Sequence, residues 1–460
     1  MHKSDDPETS VCGPIAGHGP EHGPEHGPEH GPEHGPEPEP TPFTEPTTGP
    51  MRKRSPRPTR RPARPQFSCG PTVKRPGWSV DVLNAASVGR WHRSAPARHK
   101  LEEAISRTRR LAGIPDDYSL LLVPGSNTGA FESALWNLLG PRPLEVLAFD
   151  RFGFDWLEDI TGQLGLIPAR QRIAEYGACP PLADVAPGHD VVCVWNGTTA
   201  GVCLPDADWI PEPREGLVLC DATSAIFAIP LPWQKLDAVS FSWQKMLGGE
   251  GAHGMLVLSP RALARLAAHP PDRPIPKIMR LPGSRGGPAG TLGDVHNGAV
   301  INTFSLLALE DYLDALRWAE GLAPAGPQAA GAALASSSPG ASALMARVNR
   351  NYAVVERFLQ TSEILEFAVI REAIRSRTSI TIRPRLAAFA AASEPARRAF
   401  VSAVAATLEA ESVAFDIESY RHAPAGFRLW AGATVEAADL ALVLPWIEWA
   451  VCQHQGELLE

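Results

Sequence analysis

Residues 238–254 read AVSFSWQKMLGGEGAHG. An apolar run closes on Gln244 and Lys245 and breaks into a glycine-rich turn. A strand that apolar is buried on both faces, as in a parallel sheet covered by helices. A lysine held between such a strand and a glycine turn keeps its amine close to the backbone in a pocket. Partial desolvation there lowers the ammonium pKa and frees a nucleophilic amine. A surface lysine at a strand end is the plainer alternative. Twenty-four residues earlier, LVLCDATS (217–224) ends a second apolar run on Asp221. A carboxylate at a buried strand end needs a cationic or donor partner. A lysine with such an aspartate is the pairing that a pyridine-ring electron sink requires, because the carboxylate keeps the ring nitrogen protonated. Asp221 as a helix N-cap is the competing reading, since Thr223 and Ser224 follow.

Working outward, further strands are expected at SLLLVPGS (119–126), EVLAFD (145–150), DVVCVWN (190–196) and GMLVLS (254–259), alternating with helical patterns such as AFESALWNLL (130–139). The alternation argues for an α/β core. Ligands in such sheets sit at the carboxyl ends of the strands. Those ends are polar or small here: PGSNTG, DRFG, NGTTAG, DATS and SWQK. SNTG (126–129) precedes a helix, where free N–H groups and hydroxyls bind phosphate, or where Asn127 or Thr128 simply caps. No GKS or GKT follows, so it is not a Walker loop. Phe152, just after its strand, either stacks on a ligand ring or belongs to the core. Amphipathic helices are expected at 305–320 and 340–360, flanking an Ala/Gly/Ser/Pro-rich loop over 323–342. A smaller α+β region then follows, with strands SITIRP (379–384), FDIESY (415–420) and FRLWAG (427–432) and helices at 396–410 and 435–451. The expected division is a tail (1–66), a large α/β domain (67–320) and a small C-terminal domain (321–460).

The front end differs in kind. Residues 1–50 carry ten acidic side chains and one lysine, and residues 51–64 carry seven Lys or Arg and no acid. A net charge of -8 over 460 residues leaves the body mildly acidic, which excludes a strongly basic nucleic-acid binder. The tandem repeat GHGPEHGPEHGPEHGPEHGPEPEP (17–40) has no apolar face and is expected to be disordered, with metal capture by its histidines the lesser reading. The Arg-Pro run MRKRSPRPTRRPARPQ (51–66) is expected to be a solvated linker rather than a nucleic-acid or lipid contact. Translation starting at Met51 is a further expectation. Seven cysteines without a CxxC pair form no disulfide or zinc framework, and no metal site is expected. No apolar run is long enough to span a membrane and no secretory leader is evident, so a cytoplasmic protein is expected.

Taken together, these residues resemble the pyridoxal-phosphate enzymes of the aspartate-aminotransferase fold, more narrowly the class V group and within it the phosphoserine aminotransferases. The resemblance spans about residues 66–451. It is carried by FSCGPTVKRPGW (67–78), WHRSAPARHKLEEA (91–104), the stretch from Ser240 to Pro260, INTFSLLALEDYL (301–313) and YRHAPAGFRLWAGATVE (420–436). It implies an α/β fold type I chain with a mostly parallel sheet and pyridoxal 5′-phosphate as cofactor. Lys245 would hold the cofactor covalently and move the proton, Asp221 would pair with the pyridine nitrogen, and Phe152 would stack on the ring. Thr198 would bond the phenolic oxygen. Asn127, Thr128 and Gln244 would hold the phosphate, completed by Asn302 and Thr303 from the neighbouring subunit of a homodimer with shared active sites. Arg428 would clamp the substrate α-carboxylate, a task suited to a planar fork. His92, Arg93, Arg421 and His422 would bind a distal phosphate, although relatives read His-Arg where this chain reads Arg421-His422.

The implied reaction is reversible transamination between glutamate and 3-phosphohydroxypyruvate in serine biosynthesis, with a second role expected in pyridoxine biosynthesis. The small-molecule substrates would then be a phosphorylated oxo acid and glutamate. An alanine– or serine–glyoxylate aminotransferase is the alternative. A cysteine desulfurase is opposed because Cys452 alone follows Lys245. A non-catalytic interaction protein is opposed by the pairing of Lys245 with Asp221.

Overall fold

The structure, a computed structural model, describes residues 54–281, 300–323 and 338–458. In chain order the strands of the larger region are β1 (Ser119–Pro124), β2 (Leu144–Ala148), β3 (Arg170–Ile173), β4 (Asp190–Val194), a short hairpin of β5 (Asn196–Gly197) and β6 (Val202–Cys203), β7 (Val218–Asp221), β8 (Ala238–Ser242) and β9 (His253–Leu258). Seven of them form one sheet in the order β1-β9-β8-β7-β4-β2-β3. β9 runs antiparallel to both neighbours and the other contacts are parallel. The mostly parallel α/β sheet is therefore as expected. The edge strand β3 escaped the sequence pattern because it reads Arg-Gln-Arg-Ile and buries one side chain of four.

Successive strand residues serve two separate cores. Leu120, Leu122, Val191, Cys193, Val218 and Cys220 face one side, whereas Leu121, Val123, Val192, Val194, Leu217 and Leu219 face the other. This period of two, with both faces apolar, is why the runs read as continuous hydrophobic stretches. Three helices cover the second face: α2 (Ser126–Leu138) with Phe131 and Leu135, α3 (Arg151–Glu158) with Trp156, and α4 (Pro260–Ala268) with Leu266. The first face packs on α1 (Ala95–Ala112) and on the helices Leu306–Glu320 and Pro339–Thr361. Burial of each such leucine or phenylalanine contributes about 1.5–3 kcal/mol.

The C-terminal region has a three-stranded antiparallel sheet of β10 (Leu365–Phe367), β11 (Ser379–Pro384) and β12 (Phe427–Trp430). The helices Glu394–Ala410 and Ala437–His454 pack beside it. Three expectations need correction. FDIESY is not a strand, because Asp416 takes a left-handed conformation (φ 57°) that leaves only single bridges at Phe415 and Glu418. Helix α2 starts at Ser126, four residues before its apolar pattern, since Gly125 (φ 82°) turns the chain into it directly. The Ala/Gly/Ser/Pro-rich loop ends early, because Ser338 caps a helix beginning at Pro339, while 324–337 lie outside the described residues.

The acidic repeat and Met51 also lie outside the described residues. Arg54–Gln66, however, is not a solvated linker. It runs as an extended strap over the last helix. Arg57 and Arg61 both bond Glu411, at 2.6 and 2.7 Å, and lie over the Trp446 ring. The Trp446 indole donates to the Arg60 carbonyl (2.8 Å), and the Ala63 N–H donates to Asp439 (2.7 Å). Proline-locked extended backbone suits this role, since each Pro has no N–H to leave unpaired. Guanidinium planes over indole rings explain why the run is arginine-rich.

Candidate active site

A cavity of about 300 Å3 opens at the carboxyl ends of the parallel strands. β1 delivers Ser126, Asn127 and Thr128, β2 delivers Phe152 and Trp156, and β4 delivers Asn196 and Thr198. β7 delivers Asp221, Thr223 and Ser224, and β8 delivers Ser242, Gln244 and Lys245. Gly70 and Pro71, just beyond the strap, form the remaining wall with Gly251. Five loops distant in sequence meet because parallel strands all point their carboxyl ends the same way.

Lys245 sits on the cavity floor with its amine donating to the Cys69 carbonyl. Burial pushes its pKa down to about 8, and the Arg428 cation acts in the same direction. Gly70 approaches so closely that a Cβ there would collide with the amine. Asp221 is buried. Its Oδ1 accepts from the Thr223 N–H (3.0 Å), and its Oδ2 accepts from the Asn127 amide (2.8 Å) and the Trp156 indole (3.3 Å). Burial raises the Asp221 pKa, and those donors oppose the rise. Asp150 caps α3 through the Gly153 N–H (2.9 Å) and accepts from the Thr199 hydroxyl (3.3 Å). Burial pushes its carboxyl up to about 6.

A buttress from the small sheet holds the loop after β4. Asn196 donates to Thr378 (3.1 Å), Thr378 to the Ser224 carbonyl (3.0 Å), and Ser379 to the Thr198 carbonyl (2.6 Å). The Thr198 hydroxyl meets that of Ser224. Tyr420 links the cavity to the cationic residues. Its ring lies 5.9 Å from Phe152, and the guanidinium carbons of Arg421 and Arg428 lie 5.8 and 5.7 Å from it. His422 stands 6.4 Å from the same ring. Among the described residues, neither Arg421 nor Arg428 has a carboxylate partner, so surface ion pairing does not account for them. Arg421, His422 and Arg428 do not line this cavity, and neither do His92, Arg93, Asn302 and Thr303. Of the last four, the Thr303 hydroxyl meets the His92 imidazole at 3.3 Å.

A neighbouring cavity of about 360 Å3 lies behind Asn196 and Ser224. Its arginines, Arg375 and Arg377, are committed to Val369, Ile370 and Asn349, and it contains no lysine. No cluster able to hold a metal is present among the described residues, nor is any of their helices long and apolar enough to cross a membrane. Sequence reasoning missed Trp156 and Tyr420. Trp156 follows Phe152 by four residues, the spacing that shares a helix face, and that signal was available. Tyr420 gave none, because Phe152 and Arg428, which tie it to the site, come from other elements.

No protein-family model matches the chain. Over 394 residues it is 48% identical to the phosphoserine aminotransferase of Methanosarcina mazei, covering 86% of this chain and 98% of that protein. The chain belongs to the phosphoserine aminotransferase family. The Methanosarcina barkeri phosphoserine aminotransferase matches equally well, at 48% over 394 residues. The crystal structure of a phosphoserine aminotransferase from Cytophaga hutchinsonii superposes with a TM-score of 0.64 at 17% identity, over 83% of this chain and 97% of that one. An alanine–glyoxylate aminotransferase from Nostoc sp. gives 0.63 at 17%, over 85% and 96%. Structural likeness thus shows the fold and does not separate the two activities.

Phosphoserine aminotransferases depend on pyridoxal 5′-phosphate, and the cavity fits that group. Ser242 Oγ, Gln244 Oε1 and Asn127 Oδ1 are buried there without partners. Such atoms call for a polar ligand: the Ser242 hydroxyl can donate to one, and the two amide oxygens need a donor from it. The start of α2 adds backbone N–H groups suited to a phosphate. One feature departs from expectation: the Asn127 amide is committed to Asp221, so only its carbonyl faces the cavity unpaired.

Proposed function

We propose that this chain transfers an amino group from glutamate to 3-phosphohydroxypyruvate, giving 2-oxoglutarate and O-phospho-L-serine. One observation carries the reading: the 48% match extends over 98% of a phosphoserine aminotransferase. The cavity chemistry agrees with it. When bound, the cofactor supplies an electron sink for the amino-group carbon. Lys245 is the attachment point, and with its amine near pKa 8 it accepts and returns the proton at that carbon. Asp221 would keep a proton on the ring nitrogen, Phe152 would cover the ring, and Thr198 would bond the phenolic oxygen. Thr128 and the Gln244 amide would hold the cofactor phosphate, while Asn127 braces Asp221 instead.

Arg428 takes the substrate carboxylate, and Arg421 with His422 takes the distal anion. Both arginines flank Tyr420 beside Phe152, which supports this assignment. His92 meets Thr303, and neither it nor Arg93 lines the chain's own cavity. In our reading His92, Arg93, Asn302 and Thr303 serve the active site of a second subunit in a homodimer. We place the reaction in serine biosynthesis in the cytoplasm, with the pyridoxine-pathway substrate as a second acceptor. The test is amino transfer from glutamate to phosphohydroxypyruvate compared with pyruvate, glyoxylate and oxaloacetate. Preference for a non-phosphorylated acceptor overturns the substrate assignment.

A further inference from the structure

Asp221 is held by more donors than a helix cap needs. An ionised carboxylate offers roughly four lone-pair sites. Thr223 takes one on Oδ1, while Asn127 and Trp156 take both on Oδ2. The Thr223 hydroxyl also favours the charged carboxylate but makes no hydrogen bond of good geometry, so one site on Oδ1 stays open to a donor in the cavity. Trp156 reaches Oδ2 from α3, an eight-residue helix that also carries Phe152 one turn earlier. Asp150 sets the start of that helix and ties it to Thr199, next to Thr198. The indole ring also packs 4.9 Å from the ring of Phe131 on α2, a contact separate from its N–H bond. One short helix therefore presents both an aromatic ring at Phe152 and an N–H donor at Trp156 to the same cavity.

We propose that Trp156 is a positioning residue: its indole N–H fixes and charges Asp221 so that the remaining Oδ1 site meets the protonated ring nitrogen of the cofactor. This rests on the cofactor reading above. Removing the N–H leaves a buried carboxylate with one donor fewer, which favours its neutral form. A neutral Asp221 no longer stabilises a protonated ring nitrogen. The other titratable groups whose fields reach Asp221 are Asp150, Lys245 and the Cys220 thiol, and all remain in the variants below.

The test compares three variants of the holoenzyme by melting temperature, cofactor dissociation constant and the pH dependence of the visible absorbance. Trp156→Phe keeps the ring and removes the donor. It is expected to weaken cofactor retention roughly tenfold, as loss of a hydrogen bond to a charged group does, and to move the acid limb of the absorbance titration to higher pH. Trp156→His keeps a ring N–H and is expected to lie nearer the wild type in both. Phe131→Leu disturbs the packing but spares the N–H, so it is expected to lower the melting temperature and move neither readout. The inference is overturned if Trp156→Phe leaves both readouts at wild-type values, or if Phe131→Leu moves them as much at a matched loss of melting temperature. Comparing Trp156→His with Phe131→Leu decides the matter if Trp156→Phe does not fold. A wild-type protein that takes up no pyridoxal phosphate overturns the cofactor reading instead.

Discussion

The amine of Lys245 donates to the carbonyl of Cys69, a residue 176 positions earlier in the chain. Cys69 follows Phe67, which is fully buried and whose carbonyl accepts from the Trp430 N–H at 3.0 Å. Pro65, at the end of the arginine strap, accepts from the Phe415 N–H at 2.9 Å. The strap, the small sheet and the reactive amine are thus joined through a few residues of extended backbone.

The amine should make cofactor capture pH-dependent. Its pKa is lowered to about 8, and only the neutral form attacks a carbonyl. The capture rate of apoprotein is expected to rise about tenfold per pH unit below 8 and to level off above it. Stopped-flow absorbance at several pH values checks this. Lys245→Ala should lose the visible band and at least about 100-fold in turnover.

Gly70→Ala places a methyl group against that amine. Gly70 also holds a φ of 156° that a side chain strains, so the melting temperature of the apoprotein should fall as well. Capture of the cofactor should slow by an order of magnitude or more. Unchanged capture would show that Lys245 moves aside without cost.

Asp150 has a raised pKa of about 6, so its neutral form is the better tolerated one in the folded state. Its contribution is fully present below the unfolded value near 4 and is lost as the pH rises through 6. Replacement by Asn, which still accepts from Gly153, should flatten that dependence. The difference in unfolding free energy between pH 4 and pH 7 should shrink by about 2–3 kcal/mol in urea titrations. Asp150→Ala should in addition cost about 1 kcal/mol for the lost cap.

Arg428→Ala should raise KM for both glutamate and phosphohydroxypyruvate, roughly 10–100-fold, as expected for a charge-assisted contact. Arg93→Ala should mainly impair the phosphorylated substrate. Steady-state kinetics with pyruvate as the control acceptor separates them. Equal effects of Arg93→Ala on both acceptors contradict its assignment.

Within the strap, Glu411→Ala should change stability little, because solvent screens its pairs with two half-exposed arginines. Trp446→Ala should cost about 3–5 kcal/mol, because that ring is buried beneath the strap. Chemical denaturation of the two variants measures both.

The strands and their polar ends were legible in the sequence because they depend on local properties. Runs such as LVLCD and AVSFS are apolar on both faces, and that suffices to place them inside a covered sheet. Lys245 and Asp221 stood out because each ends such a run with a charge that burial penalises. What the chain could not show locally was decided by packing. The Arg-Pro run looked like a linker because its partners, Glu411 and Trp446, lie some 350 residues or more away. The Asn127 amide was expected on a phosphate, but β1 and β7 bring it to Asp221 first. Trp156 became a donor to that carboxylate only when α3 brought its indole to the end of β7. Composition and periodicity determined the buried strands of the large sheet and their polar ends, but not the edge strand β3 or the break at Asp416. Only the close approach of distant elements decided how the buried donors and acceptors were shared among partners.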